Sequence, residues 1–482
     1  MVHSQIQSHL ENGNVDTFIN EFISSLAIRT NEKDRFGEVF TPLDIINAML
    51  DKLPQDVWFD PTKKWLDPAA GFGNFFMVVY ARLMVGLSEH PYFKDKHADE
   101  RSQHIIERMF YMVEYNPENC DKIREIFGPR ANLFCGSFLE PAGVLFADKT
   151  SQFDVIIGNP PFNSDQTYER KKGGGSNLWP KFVDKILDST STSTSTSTSI
   201  LIPEGYLVFV HPALWRKPST ERSFVGTLFD KMTHENHMLY LEIHSKLDGV
   251  KHFGVQTRYD FYVIQKRPPT RERGFLTQVK DQTGTFHEAM DLSKWHFFLP
   301  NHSFDIIKPL LVDENVSPET VNAHSNVIFS RCQYGSDQHW IRNIQDDQHI
   351  YPVIHSTPKS GPRIMWSSKG KFSMLTTQGG ESERVPMFGI PKVIFGESGI
   401  NDVILDIDGK YGMTQGAIGL KIIQDSNDSN STIKDEGMAM KKVLESREFY
   451  TILDAMSFSN FRIDWRMFLY FRGDFYKKVL VT

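Results

Sequence analysis

The sequence predicts an α/β fold on a Rossmann-like, mostly parallel sheet, and three observations carry that prediction. Short apolar runs alternate with helical patterns from residue 66 to residue 157, which is the rhythm of βαβ units. A turn containing Gly71 and Gly73 separates the first run from the helical stretch after it, and glycine there permits a tight turn and close approach of backbone to a ligand. A later run, residues 154–157, leads into Gly158, Asn159 and two consecutive prolines, which cannot continue a central strand.

In chain order, residues 66–68 read as a strand end, 75–87 as a helix, 109–113 as a strand, 117–127 as a helix and 154–157 as a strand. An alternating Ser/Thr tract at 188–200 has almost nothing apolar to bury and reads as a flexible surface insertion. Residues 206–210 and 259–265 are further strands, and the charged, Pro-containing stretch 266–274 is a connector. Beyond residue 301 the texture changes to scattered His, Gly, Pro and Asn, with strand-like pieces at 391–395 and 403–407 and a helical, aromatic C-terminus. The chain therefore reads as a first domain over 1–300 and a second, mixed α/β domain over 301–482.

Composition bounds the rest. The chain has 482 residues, several times the ~150 of one domain. At 40% hydrophobic and 23% charged it matches folded, water-soluble chains rather than disordered or fibrous ones. No apolar run approaches the ~20 residues of a membrane span, and the N-terminus has no basic, apolar leader pattern; a cytoplasmic location, with no membrane partner, is expected. The three cysteines, Cys120, Cys135 and Cys332, form no CxxC pair, so neither a structural metal nor a disulfide framework is expected.

Net charge is −7, which excludes a strongly basic, nucleic-acid-coating protein. Any polyanion contact must be a local patch. Lys359, Arg363, Lys369 and Lys371 surround Trp366 with no acidic residue between Gln348 and Gly380, a pattern suited to phosphate contact and base stacking, although an ordinary solvated loop would read the same. Arg170, Lys171 and Lys172 precede three glycines and suggest a flap that touches phosphate, with a solvated loop again the alternative.

Three segments carry chemistry. Asp67, Pro68, Ala69, Gly71, Gly73 and Asn74 form a strand-to-helix loop that fits a nucleotide-type ligand. It is neither G-x-G-x-x-G nor a phosphate loop, so a ligand without pyrophosphate is favoured, and the leading carboxylate suits a cation. Glu114 ends the next strand, where doubly wound folds hold ribose hydroxyls; an acid at a helix start, with Asn116 as its cap, is the other reading. In Asn159-Pro160-Pro161-Phe162 two missing N–H donors leave carbonyls outside any ladder. The Asn159 amide oxygen and the Pro160 carbonyl can accept both hydrogens of an exocyclic NH2 while Phe162 stacks on its ring, so the expected substrate is a planar amine.

Asp67-Pro-Ala-Ala-Gly-Phe-Gly-Asn-Phe75 together with Asn159-Pro-Pro-Phe162 resembles the S-adenosylmethionine-dependent amino DNA methyltransferases. Arg35-Phe-Gly-Glu-Val-Phe40-Thr41-Pro42 is similar to the N-terminal cofactor motif of their gamma class, which is the restriction-modification, N6-adenine type. Matches at 205–212 and 251–257 extend the likeness over about residues 35–267.

The resemblance implies a seven-stranded methyltransferase sheet, S-adenosylmethionine as cofactor, a C-terminal target-recognition domain, double-stranded DNA as partner and a separate cognate restriction endonuclease as a further one. It implies that Phe40, Thr41 and Pro42 meet the methionine end, that residues 67–74 wrap the cofactor, and that Glu114 and Tyr115 hold the ribose and flank the adenine. The implied catalytic set is Asn159, Pro160, Pro161 and Phe162. Ser137 stands where the family has an Asp for the adenine amino group, with Phe138 at the ring-contact position; an uncharged acceptor makes a weaker hydrogen bond. The implied reaction methylates N6 of a flipped adenine in duplex DNA, the alternatives being cytosine N4 or an RNA or protein-glutamine amine.

Overall fold

The computed structural model describes residues 40–140, 146, 151–162, 177–188, 199–217, 224–268, 276–295, 298–312, 326–329, 338–369, 374–376, 382–384, 387–422, 430–458 and 462–479. These divide into two compact units, one drawn from Met1–Trp215 with Leu228–Ser293, the other from Arg216–Thr227 with Lys294–Thr482. The second unit thus includes a stretch of the first 300 residues that chain order alone assigns to the first domain. Arg216 explains why: it is fully buried, and its guanidinium donates to the Leu299 and Pro300 carbonyls at 2.9 and 3.0 Å and to Asn301 Oδ1 at 3.2 Å.

The first unit is a sheet with helices. Its elements are α1 (Leu43–Leu50), β1 (Trp65–Asp67), α2 (Asn74–Gly86), α3 (Ala98–His104), β2 (Phe110–Glu114), α4 (Pro117–Phe127), β3 (Asn132–Cys135), β4 (Phe153–Gly158), α5 (Trp179–Leu187), β5 (Leu201–Pro212), α6 (Phe224–Thr233), β6 (His237–His244), α7 (Lys246–Phe253), β7 (Tyr259–Gln265), β8 (Leu276–Lys280) and β9 (Phe286–Asp291). Strands lie in the order β3-β2-β1-β4-β5-β7-β6-β8-β9. The first five are mutually parallel, and β7 runs antiparallel between β5 and β6. The expected count of seven is therefore extended to nine by the hairpin of β8 and β9 at the β6 edge.

The central strands are buried along their length, as a sheet covered on both faces requires. One continuous core runs from Ile46 and Met49 on α1 through Trp65, Phe76 and Phe110 to Val208 and Phe261. Strand order reverses between β1 and β4, and that reversal opens a crevice at their carboxyl ends.

Sequence spacing gave no sign that Cys120 and Cys135 would meet. The structure pairs them as a disulfide, with Cα atoms 6.2 Å apart, which corrects the expectation that the cysteines form no disulfide framework. The cause is topological: α4 leaves the end of β2 and returns to feed β3, so residues 15 apart become neighbours.

In the second unit, β10 (Val327–Ile328), β16 (Lys392–Gly396), β17 (Gly399–Asp406) and β19 (Ala417–Lys421) form one sheet. A second contains β11 (Ile341–Arg342), β12 (Tyr351–Ser356), β13 (Arg363–Ser367) and β18 (Gly412–Met413), and β14 (Met374–Thr376) pairs antiparallel with β15 (Ser382–Arg384). Helices Asn430–Leu444 and Arg447–Ala455 follow, then aromatic single turns at Trp465–Leu469 and Phe475–Lys477. Lys392 is fully buried and pairs with Asp406 at 2.6 Å. The same carboxylate accepts the Lys410 and Tyr411 amides at 2.7 and 2.9 Å, fixing the loop into β18.

Candidate active site

The site begins with the loop between β1 and α2. Asp67 ends β1, and its Oδ1 accepts the Ala69 amide at 3.1 Å. Gly71 (φ +56) and Gly73 (φ +85) both sit in the left-handed region that glycine adopts without cost. At Gly73 an added Cβ would lie 2.7 Å from the Phe127 ring, whereas at Gly71 it would meet nothing within 4 Å. One glycine is thus needed for packing, and the other leaves open space beside the loop.

Glu114 shapes this loop from the neighbouring strand. Its Oε2 accepts the Gly71 amide at 2.8 Å, and its Oε1 accepts the Asn116 amide at 2.7 Å and Asn119 Nδ2 at 3.4 Å. Asn116 in turn caps α4, its Oδ1 accepting the Glu118 amide at 3.1 Å. Asn116 is therefore the cap of α4, and Glu114, at the end of β2, organises the Gly loop. That last task is a tertiary hydrogen bond with no local sequence signal.

Electrostatics at the loop are unusual. Burial pushes the Asp67 carboxyl up to about 8, and the neighbouring Glu114 charge adds to the rise. Asp67 Oδ2 and Asn74 Oδ1 are buried with no hydrogen-bond partner among the described residues, which leaves two acceptors for a donor-bearing or cationic ligand.

The second wall is the end of β4. An added Cβ on Gly158 would lie 2.8 Å from Asp67 Oδ1, so the Asp67 carboxylate packs against this strand end only because residue 158 has no side chain. Asn159 follows, half-buried, and its Nδ2 donates to Thr41 Oγ1 at 3.0 Å. The amide nitrogen being so engaged orients the side chain. Pro160 is buried, Pro161 exposed and Phe162 half-buried. The Phe162 ring meets Phe253 edge-on at 6.4 Å, and its carbonyl accepts the Leu178 amide at 3.2 Å.

Thr41 is itself buried. Pro42, in extended conformation, opens α1, and Phe40 stacks on Phe72 of the Gly loop at 5.3 Å. The N-terminal element, the Gly loop and the Asn159 segment are thus brought together, with Phe253 beside them. Residues 35–39 of the N-terminal motif lie outside the described residues.

Other site candidates are placed differently. Tyr115 is 69% exposed. Ser137 Oγ accepts the Leu139 amide at 3.2 Å. Phe138 is buried, stacked on Phe182 of α5 at 5.2 Å, with Lys185 donating to its carbonyl, so its ring serves the packing of α5. Arg170, Lys171, Lys172 and Lys371 lie outside the described residues.

Lys359, Arg363 and Lys369 are exposed and lie on or beside the β12–β13 hairpin. Strand alternation puts Arg363 and Trp366 on opposite faces of β13, and Lys369 sits over the Trp340 ring at 3.7 Å. The hairpin does not, then, bring Arg363 to the face that carries Trp366. Among the described residues no group of three His, Cys, Asp or Glu side chains could hold a metal ion, and no helix is long and apolar enough to cross a membrane.

Comparison with known proteins bears on this arrangement. Residues 74–241 match the Eco57I restriction-modification methylase family model. An uncharacterized adenine-specific methylase of Mycoplasma pneumoniae is 39% identical over 79 residues, which are 16% of this chain and 18% of that protein, so the chain spans under a fifth of that relative's length in the match. Among solved structures, the Type IIL restriction-modification enzyme MmeI in complex with DNA superposes with a TM-score of 0.48 at 11% identity, covering 90% of this chain and 67% of that one. The M protein of the type I restriction enzyme EcoKI gives 0.36 at 15% identity, covering 60% and 59%. The matched segment holds Asn74, Glu114 and the Asn159 loop.

Proposed function

We propose that the chain is a site-specific DNA methyltransferase that modifies the N6 amino group of adenine with S-adenosylmethionine as methyl donor. The observation that carries this reading is the meeting of Asn159, Thr41 and Asp67 at the carboxyl ends of β1 and β4. The matched family, of restriction-modification methylases, and the adenine-specific Mycoplasma methylase support it.

The residues fit the cofactor. The open side of Gly71 admits its bulk, Glu114 stands at the ribose position, and the buried acceptors on Asp67 and Asn74 suit its cationic, donor-bearing methionine end. Phe40, Thr41 and Pro42 close over the same place. When bound, S-adenosylmethionine supplies an electrophilic methyl group on a sulfonium.

The chain's own contribution is orientation. With Nδ2 committed to Thr41, the Asn159 amide presents its oxygen, and with the Pro160 carbonyl it accepts the two amino hydrogens of adenine, turning the nitrogen lone pair toward the methyl group. Phe162 supplies an aromatic face for the base, and the buried Phe253 backs that ring edge-on. A base inside a duplex cannot enter such a crevice, so the target is turned out of the stack at a cost of a few kcal/mol. The second unit is the target-recognition domain, with Lys359, Arg363 and Lys369 toward phosphate, and Arg170, Lys171, Lys172 and Lys371 assigned to phosphate by sequence alone. A cognate restriction endonuclease is the partner that the family description implies, and the chain acts in the compartment that holds the DNA.

The test is transfer of a labelled methyl group from S-adenosylmethionine to DNA by the purified full chain, followed by nucleoside analysis. Label in N6-methyldeoxyadenosine is expected, and label in N4-methylcytosine, in RNA or in protein alone would overturn the reading.

A further inference from the structure

Beside the Asn159 loop, α7 carries an outward face that the reading above does not use. Leu247 is 80% exposed, Val250 45% and Val255, just past the helix, 37%. Leu247, Val250, Lys251 and Gly254 fall at i, i+3, i+4 and i+7, so they form one exposed stripe. On the inward side Gly249 and Phe253 are buried, and Phe253 is the ring that meets Phe162.

The helix is held rigidly. Ser245 and Asp248 form a reciprocal capping box, and Gly254 (φ +69) ends the helix in the left-handed region. At Gly249 an added Cβ would lie 2.1 Å from the Thr257 carbonyl, so helix and following segment are in backbone contact. The helix has one acidic side chain, Asp248, whose carboxylate accepts the Ser245 amide and hydroxyl at 2.8 and 2.6 Å. Lys246 and Lys251 leave the face compatible with a polyanion.

We propose that the Leu247–Val250–Val255 stripe is a wedge that enters duplex DNA at the step from which the target adenine is turned out; the inference rests on the function proposed above. Its occupant is double-stranded DNA for two reasons on the same helix: the apolar side chains are flanked by Lys246 and Lys251, and the inward side of that helix packs, through the buried Phe253 ring, against Phe162 of the Asn159 loop. Apolar side chains inserted between base steps offset the unstacking cost. Lys251, one turn from Leu247, meets phosphate beside the opened step.

The test uses the full chain carrying Leu247→Ser and Val250→Ser, both at exposed positions where folding is not at stake, as a thermal melt will check. Two duplexes carry the motif the wild-type chain methylates, one with the target adenine paired and one with it opposite an abasic site. The variant is expected to lose about tenfold or more in kcat/KM on the paired duplex and under about threefold on the unpaired one, because the wedge acts only where a base must be extracted. Equal loss on both duplexes, or no loss on either, overturns the wedge, and no loss on either directs the search to a protein partner for this face. A wild-type chain that binds cofactor and methylates neither duplex contradicts the proposed function itself, an outcome separate from any effect of the variant.

Discussion

Asn159 Nδ2 donates to Thr41 Oγ1 at 3.0 Å across a separation of 118 residues. This bond ties the element before α1 to the loop after β4 and leaves the Asn159 amide with a defined orientation. Thr41→Val keeps the shape and deletes the acceptor, and one such hydrogen bond is worth about 0.5–1.5 kcal/mol. The predicted result is a fall in kcat of about threefold to tenfold that Thr41→Ser restores, measured by single-turnover methyl transfer. An unchanged kcat in Thr41→Val would show that the bond does not orient the amide.

Gly158→Ala places a methyl group 2.8 Å from the Asp67 carboxylate. Both strand ends are buried and one of them must move, at a cost of about 1–3 kcal/mol. Lower thermal stability and weaker cofactor binding are expected together, by melting and calorimetry. Gly71→Ala, which meets open space but has φ +56, is expected to cost less.

Asp67 retains its proton up to about 8 in the folded chain, whereas an unfolded Asp loses it near 4. The folded state therefore binds the extra proton between those values, so this carboxyl's contribution to stability is present at low pH and is lost as pH rises toward 8. A cation bound beside the carboxyl drives the proton off, so binding of S-adenosylmethionine should tighten with rising pH, by up to about tenfold per unit below that value. Calorimetry from pH 6.5 to 8.5 checks this, and Asp67→Asn should flatten the slope; an equal slope in the variant would clear Asp67 of the effect.

His211 shows the opposite sign. It is fully buried, its Nε2 lies 2.8 Å from the Tyr262 hydroxyl, and its ring stacks on Trp179 at 4.0 Å. Burial holds its pKa down to about 3. The unfolded chain takes up the proton near 6.5 and the folded one does not, so stability is lost as pH falls from 6.5 toward 3. Melting temperatures should drop over that window, and His211→Gln should show a shallower drop from a lower starting stability. A parallel pH dependence in the variant would assign the acid lability to other groups.

The first unit was legible because its signals are local. The loop of Gly71 and Gly73, the placement of Glu114 at a strand end and the two prolines after Asn159 each announce backbone geometry within a few residues, and strand β7 and helix α4 fall at 259–265 and 117–127 as the periodicity predicts. What the sequence concealed depends on tertiary return. Glu114 reaching the Gly71 amide, Cys120 meeting Cys135 and Arg216 joining the second unit all involve residues whose neighbours are set by topology. Gly396 and Glu397 likewise find partners far along the chain. Gly396 donates to Thr357 Oγ1 at 2.9 Å, and buried Glu397 pairs with Arg462 at 3.2 Å and donates its amide to the Gly416 carbonyl at 2.9 Å.

The most direct measurement is expression of the chain, beside an Asn159→Ala control, in a host that lacks DNA methylation, with modified bases read genome-wide by single-molecule sequencing. N6-methyladenine is expected at one short motif in the wild-type strain and none in the control. Methylation of another base, or an unmodified genome with soluble, cofactor-binding protein present, would contradict the proposed function.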